Sequence, residues 1–456
     1  MMLSNFMLSL KRVALLSVAL YAVPLLVDRA VHDTTGLQLA SFVEAQTGTE
    51  QAPRRLPGMS EQLYKKLSKV AELAQPPEGS NNEPDFKAAL REAKEIEKRC
   101  TACNPYELSQ VYNYLAWISY SLEDSKSAIR YYNKVLAQSP QIPWGLELQT
   151  RFTLSQLSFA EGDYRDALNQ LNDWMKISSV VTAEAYQFKA TICYQLKDKA
   201  CARKEINRAI SMIESKGDIA KEPWYNLQRA IFFEDEDYKA AVKNLHLMVK
   251  HYPKKTYWTQ MGGVYGLLGD EVNQLAALET AYLIGALTKE TELVNLAYMY
   301  LNADTPDRAA KVIEKGLKNK IIKPTAKNLE VLGIAHRSAK NIKDAISAME
   351  QAAAKSDSGD IYGDLVALYM DIDQAKDAIE AGKKARKKGE LRDPEIVNLN
   401  MGIAYVELKQ FGDAIQAFDR VLADKDAKPS VRKFATSWKQ HSENEKYREE
   451  ELAKAI

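Results

Sequence analysis

The sequence predicts an all-α chain, a solenoid of about ten helical hairpins closed by a C-terminal helix. Three observations carry that prediction. First, a motif recurs about every 34 residues: "WTQMGGVYGLLGD" (258–270), "NLEVLGIAHRSAKNIKDAISAMEQA" (328–352) and "NLNMGIAYVELKQFGDAIQAFDRVL" (398–422) share a small residue with an aromatic or His three later. Second, alignment on that small residue gives Ala116, Ser155, Ala190, Gly262, Ala297, Gly333 and Gly402. Twelve residues on stand Ala128, Ala167, Ala202, Gln274, Ala309, Ala345 and Ala414, so one offset serves seven repeats. Third, breakers are sparse, with 20 Gly and 15 Pro in 456 residues, and no stretch alternates as a strand would.

Read from the N-terminus, Lys11 and Arg12 precede an apolar run of 15 residues, 13–27. That is short for a bilayer span, which needs about 20, and suits a signal peptide. Residues 1–45 are therefore expected to be a signal peptide or an N-terminal anchor, with the rest of the chain exported to the periplasm. Residues 46–58, "QTGTEQAPRRLPG", read as a polar linker. Residues 59–428 form the repeat array, with units starting near 59, 108, 148, 183, 222, 255, 290, 325, 358 and 395. The first carries an enlarged inner loop, "PPEGSNNEPD". Two units, near 225–241 and 362–378, look displaced by about one residue in the turn. Residues 429–456 are expected to be a capping helix and charged tail, with Val431, Phe434, Ala435 and Trp438 at i, i+3, i+4 and i+7 on its packing face.

The period and the W-x-x-L-G-x-x-Y…A-x-x-x-F pattern resemble the tetratricopeptide (TPR) repeat. Trp258, Met261, Gly262 and Tyr265 carry the first half, and Ala414, Phe418 and Val421 the second. Pro140 and Pro253 fall where such units end. The resemblance implies a right-handed superhelix in which no hairpin buries its apolar face alone.

Charge is balanced, 62 Lys plus Arg against 61 Asp plus Glu, which removes the basic footprint of a general nucleic-acid binder. No catalytic motif, phosphate cradle or metal-ligand spacing is visible, so the chain is read as a non-enzymatic binder without cofactor or metal. His336 replaces a repeat aromatic and reads as a packed core residue. "EDED" (234–237) reads as a solvated acidic turn, and "GKKARKKGELR" (382–392) as a solvated basic helix end.

Four cysteines fall in two local pairs. Cys100 and Cys103 form a C-x-x-C in a loop between hairpins, with Asn104-Pro105 as the cap and first residue of the next helix. Without a preceding strand the pair reads first as a local structural disulfide; unpaired thiols and a redox or metal pair remain as alternatives. Cys193 and Cys201 share one hairpin and face each other across it, as a second bridge or as a buried thiol beside an unrelated one.

In a TPR array the groove-facing positions lie three before, one after and four after the small residue. These give Asn113, Trp117 and Tyr120, then Phe152, Gln156 and Phe159, then Gln187, Thr191 and Tyr194, an aromatic-rich stretch suited to gripping a peptide. Later repeats offer Thr259, Gly263 and Gly266, then Leu399, Ile403 and Val406. The carboxylate clamp of co-chaperone TPR domains is not evident.

Three blocks are not TPR consensus: L-x-G-M-S-E at 56–61, C-x-x-C-N-P-Y-E at 100–107 and P-Q-I-P-x-G-L-E at 140–147. They resemble the TPR protein associated with TonB–ExbB–ExbD systems of gammaproteobacteria. That resemblance implies a periplasmic scaffold for TonB-dependent energy transduction and iron-siderophore uptake, with TonB-system proteins as partners. It brings no catalytic residues. Membrane contact is expected only through an uncleaved N-terminal segment. The alternative is a TPR adaptor for secretion, polysaccharide export or outer-membrane assembly.

Overall fold

The structure, a computed structural model, describes residues 54–77 and 82–455. The expected export segment and residues 46–53 of the expected linker lie outside them. The described residues form twenty-one α-helices and no strand, an all-α array of the TPR kind. They fall into two compact units divided after Pro253.

The first unit holds five hairpins: α1 (Glu61–Ala74) with α2 (Phe86–Arg99), α3 (Pro105–Ser121) with α4 (Ser125–Leu136), α5 (Trp144–Ala160) with α6 (Tyr164–Ile177), α7 (Ala183–Gln195) with α8 (Lys199–Glu214), and α9 (Glu222–Glu234) with α10 (Tyr238–His251). The second unit holds five more: α11 (Lys255–Leu267) with α12 (Glu271–Leu283), α13 (Glu290–Asn302) with α14 (Pro306–Lys318), α15 (Ala326–Ser338) with α16 (Ile342–Lys355), α17 (Asp360–Met370) with α18 (Ala375–Lys388), and α19 (Pro394–Glu407) with α20 (Phe411–Ala423). A last helix, α21 (Pro429–Ala455), follows. Within each unit the second helix of one hairpin packs on the first helix of the next, so the core is continuous along the stack.

Nine hairpins turn in one way. Seven residues after the small position the backbone enters the left-handed region, at Glu123, Gly162, Lys197, Glu236, Gly269, Asp304, Lys340, Asp373 and Lys409. The next residue's N–H then donates to the carbonyl five back, as Asp124 does to Ser119 and Gln410 to Tyr405, each at 2.9 Å. This double-bonded helix end satisfies carbonyls that would otherwise be orphaned. The residue that donates also caps the second helix. In five hairpins it is Asp (Asp124, Asp163, Asp198, Asp237, Asp270), whose carboxylate accepts from the N–H three residues on.

The turn corrects one expectation. The units near 225–241 and 362–378 are not displaced. Glu236 and Asp373 occupy the left-handed site, and Arg229/Ala241 and Val366/Ala378 keep the twelve-residue offset. Only the small residue is missing. Arg229 stands there instead, Nη2 donating to Asn226 Oδ1 at 3.0 Å and Nη1 to Met248 Sδ of α10 at 3.2 Å. Where the small residue is Gly, helices touch closely: a Cβ on Gly262 would sit 2.6 Å from Leu278 Cγ, and one on Gly333 2.6 Å from Met349 Cγ.

The C-terminal segment is one 27-residue helix, so the charged tail continues the cap. Val431 and Ala435 are buried against Phe418 and Val421, with Trp438 partly buried beside them and Ser442 continuing the face. Phe434, expected on this face, is 62% exposed. At 3.6 residues per turn it lies about 70° from the centre of the Val431–Ala435–Trp438–Ser442 stripe.

Candidate functional site

The expected groove residues share one face of α3, α5 and α7, and the structure divides them into two kinds. Phe152 and Phe159 are ring-packed between hairpins. Phe152 lies 5.1 Å from Trp174 and 6.1 Å from Phe188, and Phe159 lies 5.3 Å from Tyr164 and 5.5 Å from Phe188. Thr191 is 1% exposed; its hydroxyl donates to the Gln187 carbonyl and accepts from Gln187 Nε2. It has no surface to offer, because the following hairpin covers it, and its role is structural. Tyr194 donates from its hydroxyl to Glu234 Oε1 of the next hairpin at 2.8 Å, and burial and that carboxylate push its pKa up.

The second kind is partly exposed. Trp117 meets Phe86 and Tyr114 edge-on at 6.0 and 6.3 Å and keeps part of its ring accessible, as does Tyr120. Asn113 and Gln156 are half-buried amides that make no hydrogen bond among the described residues. A half-buried amide without a partner retains hydrogen-bonding capacity for one. Asn113, Trp117, Tyr120 and Gln156 thus keep surface on this face, as do the part-buried Phe152, Phe159, Gln187 and Tyr194, and Thr191 alone of the expected residues is fully buried.

The non-consensus blocks come together next to it, though 45 to 90 residues separate them in the chain. Asn104 and Glu107 form a capping box at the start of α3: Glu107 N–H donates to Asn104 Oδ1 at 2.9 Å, and Asn104 N–H to Glu107 Oε2 at 3.0 Å. The segment 54–60 is laid on that box. Ser60 N–H donates to Glu107 Oε1 at 2.8 Å, and Asn104 Nδ2 donates to the Gly58 carbonyl at 2.9 Å.

One hairpin further, Glu147 is the fourth residue of α5. Arg54 Nη1 pairs with it at 2.7 Å and donates to the Ile142 carbonyl at 2.9 Å, while the Arg54 guanidinium lies 3.4 Å from the centre of the Trp144 ring. Arg151 and Ser139 also donate to Glu147, which is 4% exposed. Burial pushes the Glu147 carboxyl up, but hydrogen bonds from Arg54, Arg151 and Ser139 outweigh it and hold the group below the usual carboxylate range. Glu107 is held down in the same way against burial, by the N–H groups of Ser60 and Asn104. Residues 54–58, expected as free linker, are therefore a clasp over hairpins two and three. No periodic signal could have revealed a contact spanning 93 residues.

The remaining singled-out groups are placed as follows. Cys100 is bonded to Cys103, with Cα atoms 5.1 Å apart, in the loop that leads into the capping box. Cys193 is bonded to Cys201, Cα atoms 5.8 Å apart, joining α7 to α8 across their turn. The "EDED" turn is more than solvated. Asp235 and Asp237 hold Arg203 at 3.3 and 2.5 Å, tying the fourth hairpin to the fifth. In the basic stretch, Lys388 donates to the Ala353 carbonyl at 3.0 Å and Arg392 pairs with Asp360 at 2.8 Å. His336 is buried with Nε2 3.2 Å from Glu314, and its Nδ1 has no hydrogen-bond partner.

In the second unit the corresponding first-helix face differs. Tyr298 and Ile334, each one residue after the small position, are both 39% exposed. Glu330 and Asp364 lie close to them and to each other. Burial first, then mutual repulsion for Glu330, pushes both carboxyls up, with Arg392 opposing. Thr259, Gly263 and Leu399, Ile403, Val406 are part-buried, the last three against the core that α21 closes.

No protein-family model matches this chain, and a search of characterised proteins finds no relative. Among solved structures, a crystal structure of MamA protein is 22% identical, covering 37% of this chain and 90% of its own length at a TM-score of 0.32. YrrB, described as a TPR protein with an unusual peptide-binding site, is 14% identical over 41% of this chain and 89% of its own, TM-score 0.31. The TPR2AB domain of yeast Sti1, in complex with a pHSP90 peptide, is 16% identical over 58% and 98%, TM-score 0.29.

Proposed function

We propose that the protein is a non-enzymatic docking scaffold of the bacterial periplasm, and that it serves TonB-dependent energy transduction. The observation that carries the scaffold reading is the face formed by Asn113, Trp117, Tyr120 and Gln156. There, two amides with unspent hydrogen-bonding capacity sit among half-exposed aromatic rings on successive hairpins. Rigid aromatic area with adaptable polar contacts is the composition of a protein-binding surface.

Export is supported by the apolar run at 13–27 behind Lys11 and Arg12, and by the two cystine bridges, which suit an oxidising compartment. The TonB association rests on the resemblance of the three sequence blocks. The first two blocks contact each other and the third contacts Arg54 just ahead of the first, so a shared fold of the N-terminal hairpins accounts for them without a partner's footprint. Affinity purification of the full-length chain from its host tests the reading. The inner-membrane energising proteins are expected to co-purify with it, and to be lost in an Asn113→Arg/Gln156→Arg variant that still folds. Their clean absence, together with normal siderophore uptake in a deletion strain, overturns it. General envelope defects without an uptake defect would point instead to another envelope adaptor role.

A further inference from the structure

In nine hairpins the outer face of the second helix can be compared through the small residue, and in eight of them it carries only polar residues, Ala or Gly at two set positions. Counted from the small residue, positions ten and twenty-one onward are Lys126 and Ala137, Arg165 and Lys176, Ala200 and Ser211, Lys239 and Lys250, Asp307 and Lys318, Lys343 and Ala354, Lys376 and Lys387, Gly412 and Ala423. In α12 the same positions are Val272 and Leu283, 79% and 73% exposed, with Ala276 exposed between them. They lie on one side of the helix at i, i+4 and i+11, about 16 Å from end to end, with Glu279 at i+7 on the same side neutralised by Arg308. Leu267 and Ile284 of the same hairpin are exposed as well, so four of the thirteen exposed large apolar residues fall in one hairpin of ten. Single exposed apolar residues need no explanation, but a stripe at a position that is polar elsewhere does.

Beside that ridge lies positive charge. Residues 311–323 carry Lys311, Lys315, Lys318, Lys320 and Lys323 against Glu314 alone, five cations to one anion. Glu314 is itself engaged with His336. The two features are adjacent in space: Lys315 Nζ lies 5.2 Å from the Tyr282 ring, the residue before Leu283, and Arg308 of α14 pairs with Glu279 of α12. A peptide helix needs a groove, whereas a bilayer interface takes a protruding apolar ridge flanked by lysines.

We infer that the outer face of α12 is a lipid-contact face, on which Val272, Ala276 and Leu283 enter the interfacial layer of an anionic bilayer while Lys315, Lys318 and Lys320 meet its phosphate headgroups. Such contact is reversible and weakened by salt. It brings the second unit to a membrane surface regardless of what the N-terminal segment does and of which proteins dock on the first unit.

All four native cysteines are paired, so one introduced cysteine labels cleanly. Full-length Leu283→Cys, carrying a polarity-sensitive fluorophore, is mixed with phosphatidylglycerol-containing vesicles. A Ser347→Cys label on the outer face of α16 serves as control, because an N-terminal anchor would bring both labels near the bilayer but insert neither. A blue shift at 283 is expected, absent at 347, absent with pure phosphatidylcholine, and lost in about 1 M salt, where the Debye length is about 3 Å. The Lys318→Glu/Lys320→Glu variant, folded by circular dichroism, is expected to lose it too. No shift, or an equal shift at both labels, overturns the inference. So does a shift produced by soluble envelope proteins without vesicles, which would make the ridge a protein-docking site.

Discussion

The two units build the same hairpin from different materials. The first places Ala116, Ser155, Ala190 and Arg229 at the small position, fills the spaces between hairpins with Tyr, Phe and Trp rings, and adds two cystines and the Arg54 clasp. The second uses Gly262, Gly333 and Gly402 at three of its five sites and packs mainly Leu, Ile, Met and Ala, without a disulfide. The left-handed turn residue and its twelve-residue frame are common to both. Hairpin geometry therefore belongs to the turn and the close helix crossing. What differs is what each unit adds beyond that minimum: the first has cystines and the buried Arg54–Glu147 clasp, whereas the second adds more exposed ties such as Arg392–Asp360 and Arg308–Glu279.

The largest expected break in this contrast comes from the clasp. Glu147→Ala removes the acceptor of Arg54, Arg151 and Ser139 and leaves two guanidinium groups short of a partner. A loss of about 3–5 kcal/mol is expected in the first unit. Hydrogen exchange should accelerate through α1 to α6 while α11 to α21 keep their protection. Uniform acceleration across both units would show that the units are not separable.

Acid loosens the same clasp by degrees. Glu107 and Glu147 have lowered native pKa values, so their contribution is fully present above the unfolded value of about 4.3 and is lost as pH falls through the native one. Glu330 and Asp364 have raised values, so the second unit is relieved of a penalty over the acidic range in which they take up protons. Exchange protection measured from pH 7 down to about 3 should therefore fall earlier and more steeply in the first unit.

Reducing the disulfides should come next, at roughly 2–3 kcal/mol for each loop by the chain-entropy argument, in the first unit only. A melt followed by tryptophan emission reports mainly on the first unit, which holds Trp117, Trp144, Trp174 and Trp224, against Trp258 and Trp438 in the second. Opposite substitutions at the small site then probe packing. Ala116→Gly loses helix propensity and a buried methyl, about 1–2 kcal/mol together. Gly402→Ala gains about 1 kcal/mol of propensity but drives a Cβ into the Phe418 ring, at a cost of about 1–3 kcal/mol.

What the sequence made legible follows from the same contrast. Features that repeat were readable: ten hairpins, their starts near the observed helices, and the Ala or Gly frame. Arg229 and Val366 obscure two frames because neither is small, while Glu236 and Asp373 keep the turn by a backbone conformation that leaves no side-chain signature. Thr191 falls on the groove face yet is buried, because periodicity assigns a residue to a helix face but not to a depth. The Arg54 clasp is made once, over a long separation, and could not have been read from any period. Phe434 fell on the rim of its stripe because i+3 and i+4 both read as the same face in a heptad count.

The smallest effect isolates the turn itself. Asp124 caps α4 by accepting from Ser127 N–H at 3.0 Å, and that contact holds its carboxyl below the usual range. Thr305 stands at the equivalent place before α14, but its side chain caps nothing there: the hydroxyl donates back to the Tyr300 carbonyl at 3.0 Å. Its backbone N–H already donates to that carbonyl, at 2.9 Å. Asp124→Ala should thus cost about 1 kcal/mol and Thr305→Ala appreciably less, because one removes the acceptor for an otherwise orphaned N–H and the other only doubles an existing bond. If urea midpoints move equally for both, the backbone turn carries the hairpin without its cap, and the Asp at five of nine turns would then act through its charge at the helix N-terminus. Raising salt separates these, since screening weakens a dipole contact at the surface and leaves a short hydrogen bond nearly intact.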